Sequence, residues 1–189
     1  MSTRGGIVRL TSKEKEPITF IGVYHHWDSY VSALGKTLFN LNKGFFKGDT
    51  EAMLKVLIDE HQAGWSTIND KDFSLTPGYR NDDYNRPANV SLTDYLDSLP
   101  KQPQCYCHGD RKEKAQVLTE KNASDCGCEY VYAFTGNTML ILSSYCEDGH
   151  KMIGAFGMGD PNATWKVIGE VDLKGKAPRW DRKTIKNRK

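Results

Sequence analysis

Six of the eight side chains in VYHHWDSY, Val23 to Tyr30, are ones that binding sites and catalytic centres use: two histidines, a tryptophan, an aspartate and two tyrosines. If residues 23 to 28 stay extended, Tyr24, His26 and Asp28 share one face, with Val23, His25 and Trp27 on the other. A carboxylate can orient an imidazole and hold its charged form, so His26 and Asp28 can act as a general-base pair in a hydrolase or phosphodiesterase. The same groups can instead hydrogen-bond a ligand while Trp27 or Tyr30 stacks on it. A plainer alternative is also open, in which Asp28 caps the following helix, Trp27 fills the core and His26 bonds to a nearby carbonyl.

A second cluster lies further along. Cys105 and Cys107 form one Cys-x-Cys pair, with His108 adjacent, and Cys126 and Cys128 form another. In an extended chain each pair points one way. Four thiols, or three with His108 as a substitute, can satisfy tetrahedral zinc. In a reducing compartment such pairs read as metal or redox sites sooner than as disulfides, although free buried thiols remain an alternative. Asp110, Arg111 and Glu113 follow directly. Arg111 offers a planar fork for a phosphate or carboxylate that the two acids can orient, and a surface ion pair is the other reading. Arg4 is a further candidate anion contact.

Common catalytic templates are missing. Gly35-Lys36-Thr37 lacks the earlier glycine of a phosphate-binding loop and falls inside a helical pattern. No nucleophile elbow and no His-Glu-x2-His helix occurs.

The elements that must position these residues follow from periodicity. Ile7 to Leu10 and Ile18 to His26 read as two strands of a hairpin, joined by a polar connector ending at Pro17. Val31, Leu34, Leu38, Leu41 and Phe45 repeat at helical spacing. Gly35 inside that helix costs about 1 kcal/mol relative to alanine, which suggests close packing on a strand. Asp49 or Thr50 caps a second helix that Gly64 ends. From about 65 to 128 the chain is loop-rich. Strands return at Glu129 to Phe134, Met139 to Tyr145, Lys151 to Phe156 and Thr164 to Leu173, the first two turning on Thr135-Gly136-Asn137. The expected class is α+β: an antiparallel sheet packed against two helices, in a single domain over residues 1–173.

Composition sets the outer bounds. A chain of 189 residues can bury roughly 70% of its unfolded surface. Its apolar runs fall short of the roughly 20 residues that span a bilayer, and the first residues lack a signal peptide's apolar stretch, so a cytoplasmic protein with no membrane partner is expected. Residues 174–189 carry eight Lys or Arg against Asp181, a balance of +7, which leaves −5 on the rest. Such a tail is expected to be flexible and able to make weak, non-specific contact with nucleic acid.

The start Met1-Ser2-Thr3-Arg4, the hairpin leading to Tyr24-x-His26-Trp27-Asp28-x-Tyr30, and Gly35-x2-Leu38 resemble a family of small uncharacterised proteins met in bacteriophage, prophage and plasmid sequences. Asp110-Arg111-x-Glu113 and Glu129-Tyr130-x-Tyr132 are similar to later segments of that family. Ser29 stands where the family usually has glycine. The resemblance implies a mobile-element setting, with the host cytoplasm as location, and no reaction. The expectation is a phage-type accessory or counter-defence protein that binds a phosphorylated, nucleotide-like ligand through Arg4, Tyr24, His26, Trp27, Asp28, Tyr30, Asp110, Arg111 and Glu113. The alternatives are a hydrolase using His26 and Asp28, and a protein that docks on a host factor through residues 76–90.

Overall fold

A computed structural model of the chain describes residues 3–12, 17–65, 67–68, 87–91, 94, 117–145 and 164–181. Six strands form one sheet: β1 (Arg4–Leu10), β2 (Phe20–His25), β3 (Leu118–Thr119), β4 (Cys128–Thr135), β5 (Thr138–Tyr145) and β6 (Thr164–Asp172), in the order β3-β2-β1-β4-β5-β6. The helical elements are a π-helical turn at Val31–Gly35 leading into α1 (Lys36–Lys43), and α2 (Thr50–Leu54) leading into a π-helical turn at Lys55–Asp59. The fold is therefore α+β. The expected strand at Lys151 to Phe156 lies outside the described residues.

The sheet is mostly antiparallel, as expected, with one parallel pair that the sequence did not indicate. Strands β1 and β2, β2 and β3, β4 and β5, and β5 and β6 are antiparallel, whereas β1 and β4 run parallel. A parallel pair needs a long crossover, here the whole stretch from β2 to β4 with both helices in it. Strand direction leaves no trace in the sequence of β4, because both of its faces are buried. Tyr130, Tyr132 and Phe134 join the cluster beneath the helices, while Val131 and Ala133 join the opposite one.

The same alternation splits the core in two. On the helix face, Ile7, Val23, Met139 and Ile141 meet Leu34, Leu38, Leu41, Met53 and Leu57. On the second face, Val8, Phe20, Leu118, Leu140, Leu142 and Trp165 pack together, and Trp165 meets Phe20 edge-on at 5.5 Å.

Side chains tie the helices down. Gly35 lies directly on β4: a Cβ there would sit 2.8 Å from the Tyr132 ring. Asp49 caps α2 by accepting from the Ala52 N–H at 2.9 Å, and Arg9 of β1 forks onto Asp59 at 2.8 and 2.9 Å. Trp180 folds back on the helix face, meeting Phe39 at 5.7 Å. The tail is therefore anchored to the core at Trp180, and residues 182–189 lie outside the described residues.

Candidate functional site

The junction after β2 takes its shape from what its neighbours leave room for. Strand pairing ends at His25, opposite Gly5. Ser29 then packs over β1, where a Cβ on Gly5 would lie 2.7 Å from that of Ser29, and the Ser29 N–H donates to the Thr3 carbonyl at 2.9 Å. On the far side, Trp65 clamps the edge of β2. Its N–H donates to the Tyr24 carbonyl at 2.8 Å, and the His26 N–H donates to the Trp65 carbonyl at 2.9 Å.

Within this frame the two histidines have opposite fates. His25 points into the helix-face core, 2% exposed, with Nδ1 at 2.8 Å from the Oγ of the fully buried Ser29. Ser29 Oγ also lies 3.3 Å from the His25 carbonyl. Both contacts are satisfied when His25 donates from Nδ1 and Ser29 donates to that carbonyl. Nε2 then remains a buried acceptor with no partner among the described residues. Burial, with a smaller contribution from the neighbouring His26, pushes the His25 pKa down to about 3. The Tyr132 hydroxyl seals the knot by donating to the Ser29 carbonyl at 2.8 Å. A serine beside a histidine suggests a nucleophile, but a nucleophilic serine must give its proton to the ring and meet substrate. Ser29 is fully buried beneath Tyr132 and out of reach of a substrate, so the pair is structural.

His26 belongs to the other face. Its Nδ1 meets the Tyr24 hydroxyl at 3.0 Å, and its ring meets that of Trp27 edge-on with centroids 4.6 Å apart. All three side chains are half-buried. Tyr24 packs against the second-face cluster. Arg4 shares that face: its guanidinium is 3.1 Å from where a Cβ on Gly127 would be, and it acts electrostatically on Cys126 and Cys128. In the ladder, Arg4 and His26 are the next residues outward from the Gly5–His25 pair. An aromatic group with two polar heads on β2 and a cation on β1 thus lie towards the same end of the sheet.

Two sequence expectations need correction here. Asp28 does not cap the helix. It is exposed in the left-handed region at φ 53°, and the helical segment starts after Tyr30 with no side-chain cap. It is the Asp28 carbonyl, at 3.3 Å, that accepts the Leu34 N–H. The uniform alternation over 23–28 also breaks. Tyr24 and His26 remain together, but the chain turns at Asp28 and Trp27 comes to the His26 ring. In addition, His26 Nδ1 is bonded to the Tyr24 phenol. The left-handed turn falls on Asp28, one position before the glycine of the resembled family. Asp28→Gly is accordingly expected to stabilise the fold by up to about 1 kcal/mol, since glycine adopts positive φ without steric cost. A lowered urea midpoint in this variant would instead assign the carboxylate a contact worth more than the strain.

The cysteines divide. Cys128 is buried and Cys126 half-buried, both against the second-face cluster. Burial, then the neighbouring Asp125, raises the Cys126 pKa; burial, then Cys126, raises that of Cys128 well above its ordinary value, with Arg4 opposing in each case. Among the described residues no group of three or more His, Cys, Asp or Glu gathers as a metal site. Cys105, Cys107, His108, Asp110, Arg111 and Glu113 lie outside the described residues, as does most of 76–90.

The clamp at Trp65 went unread in the sequence. Its indole N–H donates to the Leu57 carbonyl at 2.8 Å and its ring stacks on His61 at 3.7 Å. The available signal was Gly64, which takes φ +90° and brings the chain back against Tyr24.

The chain matches no protein-family model, no curated protein and no solved structure.

Proposed function

We propose that this protein binds a phosphorylated, nucleotide-like ligand at the end of the sheet that carries the Tyr24, His26 and Trp27 group, with Arg4 on the same face of the neighbouring strand. The observation that carries this reading is the Tyr24–His26 hydrogen bond at 3.0 Å on the face that holds Arg4. Half-buried aromatic rings suit a nucleobase, because stacking tolerates any base and the imidazole and phenol add polar edges. A guanidinium suits a phosphate through its planar donor fork. Asp28 and Tyr30 follow at the junction, and Arg111 with Asp110 and Glu113 would add a second charge contact if that segment closes on the same face.

Binding is favoured over hydrolysis because the group bonded to His26 Nδ1 is the Tyr24 phenol, while Asp28 is exposed in the left-handed turn. An accessory or counter-defence role in a phage-type setting accords with a protein that sequesters a nucleotide signal. Structural zinc held by Cys126 and Cys128 with Cys105, Cys107 or His108 is a secondary proposal, favoured by the packing of Cys126 and Cys128 in one cluster. Zinc would have to displace the thiol protons that burial retains.

Titration calorimetry with nucleoside mono-, di- and triphosphates tests the main reading. Arg4→Ala is expected to weaken the preferred nucleotide by about 10- to 100-fold, in keeping with loss of a charge-assisted contact. His26→Ala should weaken nucleoside and nucleotide alike. No heat with any nucleotide, or unchanged affinity in both variants, would overturn it.

A further inference from the structure

On the helix face of the sheet, α1 carries a surface whose composition ligand binding leaves unexplained. Trp180 packs on Phe39 at 5.7 Å with the rings inclined at 63°, and its indole also reaches over Gly35. Phe39 also carries the Lys43 ammonium at 5.7 Å from its ring centre. One phenylalanine therefore joins the tail to the C-terminal end of α1. Just beyond, Phe45 is 52% exposed, its ring 4.9 Å from that of Phe46, between Lys43 and Lys47.

We infer that Lys43, Phe45 and Lys47, together with the docked segment carrying Lys176, Arg179 and Trp180, form a binding surface for single-stranded nucleic acid. The charge pattern favours a polyanion. The chain outside residues 174–189 carries −5, yet the described part of the tail, with Lys174, Lys176 and Arg179 against Asp181, is anchored through Trp180 on α1, whose C-terminal end adds the exposed Lys43 and Lys47. Asp49, the acid that follows in sequence, is engaged as the α2 cap. Five more Lys or Arg follow in residues 182–189. An exposed phenylalanine between cations favours a single strand over a duplex, because unpaired bases offer faces for stacking and duplex phosphates do not. Docking by Trp180 supplies what a loose basic arm lacks, a fixed register between tail cations and the aromatic ring. The surface lies on the helix side of the sheet, opposite Tyr24 and Arg4, so the two bindings are separable.

The test is fluorescence anisotropy of the full chain with labelled oligothymidylate of roughly 20 nucleotides, and with a duplex of equal length, across a salt series. The single strand is expected to bind more tightly, with log K falling by about 0.7 per phosphate neutralised for each decade of salt. Lys43→Ala with Lys47→Ala should reduce that slope by about 1.4. Phe45→Ala should weaken binding about tenfold while leaving the slope unchanged. Because Phe45 is exposed, its variant is expected to melt like the parent, which keeps the test independent of folding. Arg4→Ala should bind the strand as the parent does. The inference is overturned if α1 variants bind normally while removal of residues 182–189 abolishes binding. It is equally overturned if the duplex binds as tightly as the strand, or if phosphatidylserine vesicles are bound and oligothymidylate is not.

Discussion

Trp65→Ala is expected to lower the stability of the fold by about 3 to 5 kcal/mol, the range for removing a large buried aromatic. The residue is 1% exposed and joins the helix-face core. Truncation leaves a cavity the surrounding side chains fill only in part. It also strips the Leu57 carbonyl of its indole donor and removes the ring on which His61 stacks. Buried acceptors left without a donor add their own desolvation cost. A protein of this kind has about 5 to 15 kcal/mol in total, so the variant should sit near its unfolding threshold. Urea denaturation followed by far-ultraviolet circular dichroism measures the change. A loss under about 1 kcal/mol would mean that Trp65 is not the clamp on β2.

Acid is the second large lever, and it acts through His25. In the unfolded chain this imidazole takes up a proton near pH 6.5, whereas in the folded core it does so only near pH 3. Between those values the unfolded state holds the extra proton, so falling pH draws the equilibrium towards unfolding. The contribution is intact above pH 6.5 and is lost progressively down to about 3. Its slope is about 1.4 kcal/mol per pH unit, on the order of 5 kcal/mol across the window. The upper part of that window, before most carboxylates titrate, isolates the effect. His25→Gln should flatten the stability profile there relative to the parent, whatever the variant's absolute stability. Parallel profiles for the two proteins would contradict the buried, neutral assignment.

The sequence revealed those elements whose side chains alternate or repeat against one clear core. The β1–β2 and β4–β5 hairpins, the α1 and α2 helices and the Asp49 cap were legible because periodicity and turn residues coincide there. Gly35 was legible as a close-packing position for the same reason. Two features were not. The parallel pairing of β1 with β4 depends on a crossover of about a hundred residues, and strands buried on both faces carry no mark of direction. The junction was misjudged at Asp28 because an aspartate before an apolar helical run looks like a cap. Ser29 instead must reach into the core beside Gly5, and that demand forces Asp28 into the left-handed region. The split between His25 and His26 was implicit in strand alternation. Which of them faces bulk depended on the helices lying on one particular side.

Native mass spectrometry of the full chain, purified without chelator and measured before and after denaturation, tests the ligand-binding account most directly. The account predicts an added mass equal to a nucleotide that disappears on denaturation and is absent from Arg4→Ala and His26→Ala protein. A zinc-sized mass would speak for the cysteine proposal alone. A bare chain mass that stays bare after incubation with nucleoside mono-, di- and triphosphates would contradict the account.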